Sequence, residues 1–246
     1  MLGFSLLSLR GTGYFIIIFL LQPGKAWYNI TMAKYPIFLE LGGRRVVLIG
    51  GGMVALRKAQ ALLAAGARLV VVAERIDDML AALCRGSGAE LVKAPYSKSY
   101  LAEALLAVAA TSNHQLNKQI YHDCQELEVL CNVVDVPDLC DFFVPAVVKR
   151  GDLQIAVSTA GQCPAYAGHV RKRLEQMYTE KHGQFLIELE ALRQQIIRDV
   201  LEPADRKTLL GQLVEDKSFE FFVENGPSKW RKHAEELISN MPLAQE

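Results

Sequence analysis

Val46-Val47-Leu48-Ile49-Gly50-Gly51-Gly52-Met53-Val54-Ala55-Leu56-Arg57-Lys58 is the stretch that decides the fold. An apolar, β-branched run stops at three glycines, and a helix-compatible run begins at once. This is the layout of a strand, a tight turn and a helix N-terminus, where backbone N–H groups and the helix dipole favour a pyrophosphate. Gly50, Gly52 and Ala55 match the pattern G-x-G-x-x-A. Gly50 permits the tight turn, Gly52 lets the backbone approach a pyrophosphate, and Ala55 lets helix and strand pack closely.

Outward from this turn, strand and helix patterns alternate. Strands are expected at 45–49, 68–73, 90–93, 106–111 and 129–134, with helices at 53–65, 77–86, 99–105 and 115–127. Strands apolar on both faces, separated by helices, imply a parallel sheet covered on both sides. The expectation is an α/β fold, a Rossmann-like doubly wound domain over residues 32–141. The pattern then changes. Residues 142–149 and 153–158, joined by Arg150-Gly151-Asp152, read as an antiparallel hairpin within a segment 142–163. From Pro164 the chain reads as a helical domain over 164–246. Helices are expected at 165–178, 184–200, 204–213, 217–224 and 228–239, punctuated by Pro203 and Gly226-Pro227.

Composition narrows the function. Lys+Arg and Asp+Glu balance at 27 each, so no global charge draws the chain to nucleic acid. The five cysteines, Cys84, Cys124, Cys131, Cys140 and Cys163, form no C-x-x-C pair and are odd in number, which fits a reducing, cytoplasmic setting. The five histidines lack metal-ligand spacing, so no fixed metal site is expected. Residues 1–31 carry two apolar runs, 2–9 and 14–21, each shorter than the roughly 20 residues that span a bilayer. No basic n-region precedes them and no A-x-A site follows. They read as an extension outside the fold, with Met32 as a natural start; a membrane tether is the competing reading.

The candidate site residues follow from topology. Ligands of such sheets bind beyond the C-terminal strand ends. Glu74 ends the second strand, 22 residues after Gly52, where a carboxylate accepts hydrogen bonds from a ribose and repels a 2′-phosphate. NAD is therefore favoured over NADP, although Arg75 is adjacent. Thr111, Ser112 and Asn113 follow the fourth strand, placed either to line the cofactor or substrate site or to cap the next helix. Asp135 ends the fifth strand, placed either to take a proton or to cap a turn; Asp138 and Asp141 are its rivals. Lys149, Arg150 and the Arg171-Lys172-Arg173 cluster offer either a clamp for substrate carboxylates or a solvated face.

Together these residues resemble the precorrin-2 dehydrogenases, including the dehydrogenase/ferrochelatase module of siroheme synthase. The resemblance lies in Tyr35-Pro36-Ile37-Phe38-Leu39, the glycine turn through Lys58, Ala109-Ala110-Thr111, Asn132-Val133-Val134-Asp135, Phe143-Val144-Pro145-Ala146 and the run from Arg150-Gly151-Asp152-Leu153 to Ser158-Thr159. It implies oxidation of precorrin-2 to sirohydrochlorin by NAD, followed in some members by Fe²⁺ insertion to give siroheme. It implies cofactor contacts at Met53, Val54, Glu74 and Arg75, proton transfer and metal insertion through Asp135, and a phosphorylatable position at Thr159. Asn113, Lys149, Arg150, Ser158, Thr159 and Arg171 become candidate substrate contacts. The hairpin is implied to interlock two subunits as a homodimer, beneath a helical domain that covers the substrate. The chain departs from the family at Asn113 (usually Asp), Ala160 (usually Gly), Cys163 (usually Ser), Gly168 and His169.

Two other functions fit parts of the sequence. One is a dehydrogenase that hands sirohydrochlorin to a separate chelatase, toward siroheme or cobalamin. The other is a non-catalytic, NAD-sensing regulatory module, which would need neither Asp135 nor the long helical tail.

Overall fold

The computed structural model describes residues 34–239, so the expected extension 1–31 lies outside the described residues. The chain divides into two compact units, Met1–Phe38 and Leu39–Glu246. In the first, residues 34–38 form neither helix nor strand; everything below concerns the second.

Five strands, β1 (Arg45–Ile49), β2 (Arg68–Val72), β3 (Glu90–Val92), β4 (Leu106–Ala109) and β5 (Leu130–Val133), form one parallel sheet in the order β3-β2-β1-β4-β5. Their register pairs Val47 with Val70 on one side and with Ala107 on the other. Alternate side chains enter two separate cores. Val46, Leu48, Leu69 and Val71 pack with Leu56 of α1 (Met53–Ala64) and Leu80 of α2 (Asp78–Ser87). Val47, Ile49, Val70 and Val72 pack with Ile120 and Cys124 of α3 (His114–Glu126). Both faces are thus dry, which is why these strands read as unbroken apolar runs. The doubly wound architecture expected from the sequence is present.

One expected element is not. Residues 99–105 were expected as a helix, but the chain forms a single 3-10 turn at Lys98–Leu101, capped by the Ser97 hydroxyl. The chain leaves this turn at Ala102, with a φ of −54° and a ψ of 132°, and Glu103 follows at a φ of 59°, a type II turn closed by the Ala104 N–H donating to Leu101 O at 3.0 Å.

Beyond the sheet, β6 (Ala146–Arg150) and β7 (Leu153–Val157) pair antiparallel, with Arg150 opposite Leu153. Gly151 begins the two-residue loop with a φ of 59°, as a tight hairpin turn requires. Five helices follow: α4 (Pro164–Met177), α5 (Glu180–Asp199), α6 (Pro203–Leu213), α7 (Asp216–Asn225) and α8 (Pro227–Ser239). Helices α5 to α8 enclose their own core, with Phe185, Leu192, Ile196, Leu209, Phe222 and Trp230. The Trp230 indole N–H donates to Ser218 Oγ at 2.8 Å, so the buried ring leaves no donor unpaired.

Both hairpin strands pack on α4 and α5, and the closest approach is at the turn. A Cβ on Gly183 of α5 would lie 2.6 Å from the Arg150 carbonyl oxygen, so only glycine lets α5 approach the turn. The Arg150 guanidinium meets the end of α4: Nε donates to Tyr178 O at 2.8 Å and Nη2 to Glu175 O at 3.1 Å. Its Nε also lies 3.4 Å from the carboxylate of Glu180, in the first turn of α5.

Candidate active site

A crevice of about 1120 Å³ opens along the C-terminal ends of the sheet strands. Its floor is the glycine turn. Gly50 has a φ of 129°, and a Cβ there would lie 2.3 Å from the Ala110 carbonyl oxygen. Gly51 is held as tightly: a Cβ would lie 1.9 Å from Arg75 O, and its own carbonyl accepts from the Asp77 N–H at 2.8 Å. Gly52 differs, since a Cβ there would meet nothing within 4 Å. It is also the N-cap of α1, with no side-chain cap and no acidic residue in the first turn. Unsatisfied N–H groups and the positive end of the helix dipole therefore accompany a glycine that faces open space. This donor set fits the pyrophosphate of a dinucleotide. Gly51 was given no role in the sequence reading, because the contact that demands it comes from the far side of β2.

The expected cofactor residues converge here. Gly50, Gly52, Met53, Val54, Glu74, Arg75 and Thr111 all line the crevice, as do Asn113 and Asp135. Asp77 also lines it, but its carboxylate caps α2 by accepting from the Met79 N–H at 2.9 Å. Asn113 caps α3, its Oδ1 accepting from Gln115 and Leu116 N–H groups at 3.0 and 3.1 Å. Capping and lining, offered as alternatives by the sequence, coexist at this residue.

Asp135 sits just past β5 with a φ of 61°. Among the described residues it has no hydrogen-bond or ion-pair partner, and its carboxylate is exposed to the crevice. Lys58, half-buried on α1, lies within electrostatic reach; burial lowers its pKa while the Asp135 charge opposes that shift. The rivals are placed elsewhere. Asp141 accepts from the Cys131 N–H at 2.8 Å and from Gln125 Nε2 at 2.9 Å, pinning the chain to β5. Asp138 lies in a 3-10 turn, Pro137–Leu139, off the crevice lining. The loop carrying Asp135 is fixed by buried Asn132, whose Nδ2 donates to Phe142 O at 2.9 Å.

Lys149, Arg150, Ser158, Thr159 and Arg171 do not line this crevice. Arg150 is committed to the ends of α4 and α5, and Arg171 pairs with Glu175 one helical turn away. The Ser158 hydroxyl accepts from the Ala160 N–H and the Thr159 hydroxyl from the Cys163 N–H, both at 3.1 Å. Cys163, at the N-cap of α4, makes no side-chain cap bond, as the loss of a hydroxyl there predicts.

Several lining residues were not singled out beforehand: Pro95, Tyr96, His114 and Asn117. Tyr96 donates to Asp123 Oδ2 at 2.9 Å; burial and this bond to a carboxylate push its pKa far up. No sequence motif marks these residues: Pro95 and Tyr96 enter from the loop after β3, and His114 and Asn117 from the first turn of α3. Among the described residues there is no group of three or more side chains able to hold a metal ion, and no helix long and apolar enough to cross a membrane.

Comparison with known proteins agrees with this geometry. Residues 37–146 match the NAD(P)-binding family model NAD_binding_7, and residues 150–177 match the model for the sirohaem biosynthesis protein central region. The siroheme synthase of Psychrobacter arcticus is 41% identical over 152 residues, 62% of this chain and 28% of that protein. That of Pseudomonas putida strain F1 is 44% identical over 153 residues, 62% of this chain and 33% of that protein. That of Saccharophagus degradans is 35% identical over 174 residues, 71% and 38% of the two chains. The chain thus spans about a third of the length of these relatives. A solved structure of SirC, precorrin-2 dehydrogenase, superposes with a TM-score of 0.69 at 23% identity, over 82% of this chain and 100% of that one. The resemblance read from the sequence holds, and the fold is shared.

Proposed function

We propose that this chain, whose residues 37–177 carry the NAD(P)-binding and sirohaem-central segments in order, oxidises precorrin-2 to sirohydrochlorin with NAD⁺ and then inserts Fe²⁺. One observation carries the reading: the order of groups across the crevice. Glu74 lies beyond β2, the glycine turn beyond β1, Thr111 beyond β4 and Asp135 beyond β5, in the spatial order of the strands. A dinucleotide with its adenosine ribose at Glu74 and its pyrophosphate on the turn extends its other half over β4 and β5, toward Asp135. When bound, the cofactor supplies the hydride acceptor. Asp135 then takes the accompanying proton, and its lack of an intramolecular partner leaves both oxygens open to the substrate. Fe²⁺ is a substrate in this scheme. Its insertion displaces two macrocycle N–H protons, which the same carboxylate, exposed to solvent, can receive one at a time, releasing each to water before taking the next.

Asn113 in the crevice, and Lys149, Arg150, Ser158, Thr159 and Arg171 outside it, are the proposed contacts for the carboxylates of the tetrapyrrole, and Thr159 is a proposed modification point. The β6–β7 hairpin pairs two chains as a homodimer in the cytoplasm, and sedimentation of the purified protein as a monomer would remove that element. The chemistry is tested by supplying precorrin-2 and NAD⁺, following the sirohydrochlorin absorbance, then adding Fe²⁺. No oxidation ends the proposal. Oxidation without metal insertion above background selects the dehydrogenase-only function. Asp135→Ala is expected to abolish oxidation while leaving NAD⁺ binding; an active variant would place the base elsewhere.

A further inference from the structure

We propose that Asn117 is a positioning residue that fixes the Thr111 hydroxyl as a hydrogen-bond acceptor toward the nicotinamide-riboside half of the bound dinucleotide. The inference rests on the dinucleotide reading above and deepens it.

The argument is a count of donors and lone pairs. Asn117 lines the crevice yet is only 4% exposed. Its amide lies against two oxygens of Thr111: the carbonyl, 3.1 Å from Nδ2, and the hydroxyl, 2.6 Å from Oδ1. The carbonyl can only accept, so the amide nitrogen must face it. Oδ1 therefore faces the hydroxyl, and the hydroxyl must donate its one proton there. The contact from the same hydroxyl to Asn113 O, at 3.3 Å, is the weaker claim on that proton. One lone pair of the hydroxyl is taken by the Asn113 N–H at 3.2 Å. A single lone pair remains, and no donor capacity. Thr111 follows β4, between the glycine turn and Asp135, so the cofactor half above it is the nicotinamide riboside. That half offers two donors, the carboxamide N–H₂ and the ribose hydroxyls. The clasp thus presents a set polarity to the cofactor before binding.

The test measures binding, independent of turnover. NAD⁺, its 3-acetylpyridine analogue (no carboxamide N–H) and an analogue deoxygenated on the nicotinamide ribose are titrated against the full chain by calorimetry. Wild type is expected to bind one analogue about tenfold more weakly than NAD⁺, the loss of about one hydrogen bond. The analogue affected identifies the donor. Thr111→Val is expected to bind NAD⁺ about tenfold more weakly and to treat that analogue and NAD⁺ alike. Thr111→Ser should restore the discrimination, and Asn117→Leu should reduce it, because the freed hydroxyl can still accept but is no longer held to do so. Wild type that binds both analogues as tightly as NAD⁺ overturns the inference, whether or not the variants fold. So does discrimination that survives in Thr111→Val, or that is undiminished in Asn117→Leu. A wild type that binds no NAD⁺ brings down the dinucleotide reading as well.

Discussion

Asp135 holds its carboxylate over the crevice from a left-handed backbone conformation, φ 61°. Such a conformation costs a residue with a Cβ roughly 1–2 kcal/mol, and Asp and Asn tolerate it best. Asp135→Asn should therefore keep the loop and NAD⁺ affinity within about twofold while oxidation falls to background; calorimetry beside the turnover assay separates the two. Ala160 has the same problem without the polar side chain, at φ 54°. Ala160→Gly should raise stability by about 0.5–1 kcal/mol, read as a higher urea midpoint at unchanged slope. Tyr96 gives the pH dependence. Burial and the bond to Asp123 raise its folded pKa above the ordinary value of 10.0. A phenol whose folded pKa is raised contributes stability that is fully present below pH 10 and is lost as pH climbs toward the folded value. Denaturation above pH 10 should therefore erode wild type relative to Tyr96→Phe. A constant gap between the two across that range would sink the argument.

At the scale of elements, the hairpin and α5 meet through backbone. Gly183→Ala forces a methyl to 2.6 Å from the Arg150 carbonyl, and neither partner is a flexible side chain. A loss of about 1–3 kcal/mol is expected in urea denaturation. The strands and helices were legible in the sequence for a physical reason. A strand buried on both faces must be apolar where it is buried, as Val46–Ile49, Leu69–Val72 and Leu106–Ala109 are, and the close approaches at Gly50 and Gly51 after β1 admit only glycine. The 3-10 turn at Lys98–Leu101 was not legible, because residues 101–105, Leu-Ala-Glu-Ala-Leu, are all good helix formers although the backbone turns away at Ala102 and Glu103. The partners of Arg150 were not legible either: Glu175 and Tyr178 lie 25 and 28 residues away, in a helix end no local pattern connects to it. Which of Asp135, Asp138 and Asp141 faces the crevice was not legible in the sequence either, because it depends on how the chain turns after β5.

Over the whole compact unit, apolar side chains fall into three cores, two on the sheet faces and one among α5 to α8. The helical core depends on one large residue: Trp230, 0% exposed, contacts Phe185 and Phe222 with ring centroids 5.0 and 5.9 Å apart. Trp230→Ala should cost about 3–5 kcal/mol. If the helical core melts on its own, the glycine turn keeps its NAD⁺ affinity while α5–α8 lose protection from amide exchange; loss of both together would show one cooperative unit. Between these cores stands Arg150, one guanidinium that touches the hairpin tip, the last turn of α4 and the first of α5. With Gly183 seated on the same turn, the hairpin tip, the end of α4 and the start of α5 share one anchor, so a change at that single residue is felt by all three.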